Sequence, residues 1–145
     1  MGANKVRAGI AVAVLALIGG LLAAPPASAY GQGWDYCSKA SLKTSGKSVR
    51  IRGECNGGTL QLRGTFRKRS GAFDLRGRLG RDRVDLSGTV NNLVVIKGWI
   101  DDQYVDMDGS EVYRSCFING WIGDEYDTGY PTTMIGRICG LLAAV

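Results

Sequence analysis

After residue 48 the chain alternates apolar and polar positions with a period of two, and a glycine recurs at a fixed place in each run. The pattern apolar-x-apolar-x-Gly-x-apolar is met at VRIRGEC (49–55), LQLRGTF (60–66), FDLRGRL (73–79), VDLSGTV (84–90) and VVIKGWI (94–100). It continues at VDMDGSE (105–111), CFINGWI (116–122) and, more loosely, TTMIGRI (132–138). Strict alternation places one set of side chains on a buried face and the other in solvent, which is the signature of a half-buried strand. No segment of this region shows clear helical spacing. The pattern predicts a single small all-β domain of about eight short strands over residues 49–140.

The connections between runs are short and rich in turn formers: Asn56-Gly57-Gly58-Thr59, Gly80-Arg81-Asp82-Arg83, Asn91-Asn92 and Asp102-Gln103. They predict antiparallel hairpins and hence an up-and-down meander or a closed barrel. Facing apolar residues across each turn sets Leu79 against Val84 with Arg78 opposite Asp85, and Ile100 against Val105 with Lys97 opposite Asp108. The alternative is a flat two-sheet β-solenoid with 22-residue coils, because IKGWIDDQY (96–104) recurs as INGWIGDEY (118–126). The glycines fall at inward positions, where each costs about 0.5–1 kcal/mol relative to alanine. Sharp strand curvature or close approach of another backbone would account for them.

The two ends break the pattern. At the N-terminus Lys5 and Arg7 precede an apolar stretch, and Ala27-Ser28-Ala29 forms an A-x-A site. Residues 1–29 therefore read as a cleaved Sec signal peptide, with no transmembrane segment left after maturation. Residues 30–48 read as an N-terminal arm tied down through Cys37, 123–133 as an acidic loop, and 141–145 as an apolar C-terminal tail.

Export makes the cysteines informative. Cys37, Cys55, Cys116 and Cys139 all lie in the mature part, an even number destined for an oxidising compartment. Three pairings are open, and the short loops favour Cys37–Cys55 and Cys116–Cys139. A zinc site is disfavoured, since the chain has no C-x-x-C pair and no histidine. No metal and no cofactor is expected.

Charge and chemistry narrow the function. Once Lys5 and Arg7 are removed, 16 basic residues face 13 acidic ones, a balance that does not point to specific nucleic-acid binding. The charges are nonetheless segregated. Residues 30–83 hold thirteen basic and four acidic side chains, and residues 84–145 hold three and nine. Arg50, Arg52, Arg63, Arg76 and Arg78 fall at outward strand positions. They form a basic patch that suits an anionic polymer, or equally a solvated face that discourages edge-to-edge aggregation. Opposed halves also allow self-association.

Catalysis is not expected. Without histidine there is no nucleophile–imidazole pair, and no G-x-S-x-G elbow or phosphate loop is present. Carboxylate groups occur at Asp106 and Asp108, and at Asp124, Glu125 and Asp127, but adjacent surface acids ordinarily form a solvated edge.

The aromatic residues are more specific. Trp99 and Trp121 fall at outward positions beside Gly98 and Gly120, with Tyr104 and Tyr126 repeating after them next to Asp102 and Asp124. Flat rings beside carboxylates stack on sugar faces or hold cationic groups. The sequence thus predicts a secreted, non-enzymatic binding module for a cell-wall or extracellular glycan or a cationic ligand. A structural or self-associating cell-envelope protein is the first alternative, and a small secreted inhibitor the second.

Overall fold

A computed structural model describes residues 36–145. The expected signal peptide and the first residues of the expected arm lie outside the described residues. Nine strands follow one another in chain order: β1 (Cys37–Ser45), β2 (Ser48–Cys55), β3 (Gly58–Arg67), β4 (Ala72–Leu79), β5 (Asp82–Val90), β6 (Leu93–Ile100), β7 (Gln103–Val112), β8 (Ser115–Ile122) and β9 (Glu125–Gly129). Each pairs antiparallel with its sequence neighbours in one continuous sheet, which curls into an open half-barrel. Among the described residues one helix, α1 (Met134–Ala143), follows β9.

The antiparallel meander is the predicted fold, and the solenoid is excluded. The segments 96–100 and 118–122 lie on β6 and β8 with β7 between them, so the 22-residue repeat is one hairpin added to the next. Four details of the expectation are corrected. Residues 37–45 are a strand rather than an arm, and Glu125–Gly129 forms a strand within the expected acidic loop. The segment 132–138 enters a helix instead of making an eighth strand. Leu141–Ala143, assigned to the tail, are the last residues of that helix.

The helix has a local cause. The Thr133 hydroxyl accepts from the Gly136 amide at 3.1 Å and donates to the Tyr130 carbonyl at 2.8 Å, an N-cap two residues after Pro131. Met134, Ile135, Ile138, Cys139 and Leu142 then share one apolar face. That face is buried with Ile51, Leu62, Leu75, Leu86, Ile96 and Met107 in the core that fills the inner side of the sheet.

Two further links hold the helix. Cys139 is bonded to Cys116 at the start of β8, and the Arg137 Nε donates to the Cys37 carbonyl of β1 at 3.1 Å. The helix therefore ties the two ends of the open curl together. Cys37 and Cys55 form the second disulfide across β1 and β2, so both favoured pairings are the observed ones.

The registers differ from expectation by two residues, for a physical reason. The turns are the two-residue Gly80-Arg81 and Asp101-Asp102, whose first residues have φ of 59° and 55°. Gly77 then faces Val84, and Gly98 faces Val105. Nearest these turns an apolar residue therefore faces glycine, while Leu75 with Leu86 and Ile96 with Met107 meet further along the strands.

The inward row Val49–Gly64–Leu75–Leu86–Gly98–Val105–Ile122 crosses β2 to β8 with a glycine at every third place. At Gly64 a Cβ would sit 1.7 Å from the Asp74 carbonyl oxygen of β4, and at Gly77 one would sit 1.8 Å from the Gln61 carbonyl oxygen of β3. The neighbouring backbone occupies the space a side chain would need. This close approach is what bends the sheet.

Two stability measurements test this account. Gly77→Ala should lower the unfolding free energy by about 3 kcal/mol or more, because backbone has to move. Gly46→Ala, where φ is 60° but nothing lies within 4 Å, should lose only about 1 kcal/mol. Comparable losses in chemical denaturation would contradict the bending role of Gly77. Replacing Cys116 and Cys139 together by serine should remove about 3 kcal/mol, read in the same way.

Candidate functional site

Because every strand alternates, fixing the inward rows also fixes the outward ones. Two outward rows carry the same order of chemistry. In the first, Arg76 (β4), Asp85 (β5), Trp99 (β6) and Tyr104 (β7) lie directly opposite one another in turn. In the second, Lys97 (β6), Asp106 (β7), Trp121 (β8) and Tyr126 (β9) do the same. The second row is the first displaced by two strands and two residues along the sheet.

Within each row the groups are in contact. Arg76 Nε lies 3.5 Å from Asp85 Oδ2 and 3.7 Å from Asp74 Oδ1. Lys97 Nζ lies 3.8 Å from Asp106 Oδ1. The Trp99 and Tyr104 rings meet edge to face with centroids 5.1 Å apart, and Trp121 and Tyr126 do so at 5.3 Å. Such pairs stabilise by about 0.5–1.5 kcal/mol beyond their buried area, which holds each indole in one orientation. The rings remain open to solvent: Trp99 is 49% exposed, Tyr104 42%, Trp121 52% and Tyr126 56%. Packing within the described residues therefore does not account for these two tryptophans.

The strand geometry sets the spacing of the rows. Two strand separations of about 4.8 Å and a two-residue offset of about 6.7 Å put the Trp99 and Trp121 Cα atoms roughly 12 Å apart. Two stacking surfaces at that separation suit alternate rings of an extended chain.

Asp102 and Asp124, expected beside the rings, instead occupy the β6–β7 and β8–β9 turns. The acids placed directly opposite the indoles are Asp85 and Asp106. The four-residue turn expected at Gly80–Arg83 put Arg78 rather than Arg76 opposite Asp85, and the alternation set no register between β5 and β6, where Asp85 meets Trp99. Asp106 was noted only beside Asp108, and these two share the outer face of β7. Of the other acids, Glu125 is exposed on β9, whereas Asp127 points inward, 5% exposed opposite Gly120, and accepts from the Thr128 amide at 2.8 Å.

All five arginines of the expected basic patch lie on the same outer face. Arg50, Arg63 and Arg76 are directly opposite one another on β2, β3 and β4, with Lys43 of β1 completing the line. Arg52 and Arg78 flank it, separated by Gln61. This line runs straight on into Asp85, Trp99 and Tyr104.

No protein family, curated protein or solved structure matches the chain.

The ring exposure is directly measurable. In a Trp34→Phe background, which leaves Trp99 and Trp121 as the emitters, fluorescence should be red-shifted and readily quenched by iodide. A blue-shifted spectrum that resists quenching would show both rings to be covered in solution.

Proposed function

We propose that this protein is an extracellular glycan-binding module whose outer sheet face carries two equivalent sugar-stacking rows. The observation that carries the reading is the duplicated cation–carboxylate–Trp–Tyr order, with both indoles half open and braced by a tyrosine edge. An indole face offers apolar surface to the C–H face of a sugar ring. The adjoining carboxylate and cation offer an acceptor and donors for the hydroxyls at its rim. Two disulfides in a small domain fit an oxidising, extracellular setting. The role is binding rather than catalysis.

The same geometry favours a glycan over a cationic ligand such as choline. A cation cage needs rings converging on one point and a carboxylate with charge to spare. Here Asp85 and Asp106 are each already matched by a cation, and each indole meets its tyrosine edge to face instead of forming a cage wall with it. Paired carboxylates still accept hydrogen bonds from hydroxyls, but they attract a further cation weakly.

A glycan array on the oxidised protein would identify a ligand, and substitutions would locate it. Trp99→Ala and Trp121→Ala should each weaken binding about ten-fold, equivalent to ~1.4 kcal/mol. Melting temperatures should change little, because both side chains point away from the core. Full retention of binding in both variants, or no glycan bound by the parent protein, would remove this reading.

A further inference from the structure

The basic line on β1 to β4 is electrostatically unfavourable as it stands. Lys43, Arg50, Arg63 and Arg76 are consecutive directly opposed residues, where Cβ atoms are about 4.5–5.5 Å apart and like charges repel. Only Arg76 is relieved, by Asp74 and Asp85. Lys43, Arg50 and Arg63 form no ion pair among the described residues, and all three are exposed. A face designed only to stay in solution would interleave the two signs, as Lys97 and Asp106 do further along the sheet.

Three shallow depressions lie on this line, one of about 360 Å³ bordered by Lys43, Arg50 and Arg63 with Ser45 and Ser48. A second of about 140 Å³ is bordered by Ser41, Lys43, Arg50 and Arg52, and a third of about 310 Å³ by Gln61, Arg63, Arg76 and Arg78. Cationic and hydroxyl or amide side chains thus border recesses on the outer face, at intervals along a path that ends at Trp99. From Lys43 to Trp99 is five strand spacings, about 24 Å.

From this continuity we infer that the glycan is an acidic one, bound across the strands. Its acid groups would lie on the Lys43–Arg50–Arg63 ladder, and one sugar ring would stack on Trp99. The inference rests on the glycan-binding reading above and specifies its substrate class: a polymer of sugars bearing recurrent anionic groups, either uronate carboxylates or bridging phosphates. Such a ligand supplies the counter-charge that β1 to β3 lack. It would meet Arg76 only as a hydrogen-bond donor, since that guanidinium is already matched. Opposite charge along the groove would also speed encounter with the polymer.

The test uses the oxidised protein with polygalacturonate, poly(N-acetylglucosamine 1-phosphate), neutral dextran and a single-stranded DNA oligonucleotide as probes. One or both acidic glycopolymers should bind more tightly than dextran, and the arm that binds identifies carboxylate or phosphate as the anion. The double variant Arg50→Gln/Arg63→Gln should bind that polymer about ten-fold more weakly, with a salt dependence shallower by about 1.5–2 units of log–log slope. Its melting temperature should not fall, because like-charge repulsion is removed.

Loss of affinity confined to the tryptophan variants, with the arginine variant unchanged, overturns the ladder but leaves the glycan-binding reading standing. DNA binding as tight as the acidic glycans would show charge attraction alone and overturn the inference. Salt-sensitive multimers in sedimentation with no polymer bound would overturn both readings in favour of self-association between basic and acidic halves.

Discussion

The contact on which this structure depends is that between an inward glycine and the carbonyl group of the adjacent strand. A sheet of this length with one buried face must curl to enclose a core, and β2 to β8 do so by each letting a neighbour's backbone pass where a side chain would stand. The large residues on either side of each glycine then converge instead of splaying apart. A loss that is unfavourable for any isolated strand becomes the means by which nine of them share one interior.

The outer face inherits its order from that interior. Because a glycine must face a bulky residue, the hairpin turns shorten to two residues and every outward side chain moves one pair along. These turns set Arg76 against Asp85 and Lys97 against Asp106, the cation–carboxylate pairs that open the two outward rows. Core packing and surface chemistry are thus one constraint seen from two sides. The curl also fixes the outward rows on a rigid ladder, which holds a binding surface more exactly than loops would.

Much of the fold was legible in the alternation itself. It revealed the inward glycines and the outward tryptophans, while the short turns pointed to the antiparallel meander and the short loops to both cysteine pairs. Register was not legible, because apolar-to-apolar matching is a reasonable rule for flat sheets and fails where backbone replaces side chain. The helix was hidden by a coincidence: MIGRI imitates the apolar-x-Gly strand pattern, while the helix needs the longer spacing out to Leu142 to show itself. The first strand was missed because its inward positions, such as Ala40 and Leu42, are only partly covered. As for the site, the rings and their tyrosines were found, but their acidic partners could be named only once the register was known.

The arrangement of neighbours also dictates an order of assembly. Every strand pairs with the one made just before it, so loop closures are short and the sheet can grow by addition as a chain emerges from its N-terminus. Only the segment after β9 reaches back, through the Cys37 amide donating to the Thr132 carbonyl at 2.9 Å and through the helix contact of Arg137 with Cys37 a hundred residues earlier. Until that helix is complete, the inner face lacks its cover and the first strand its brace. The last ten residues of structure therefore act as a latch on work already done, and a chain cut short before Met134 would leave a finished sheet with its apolar face open to water.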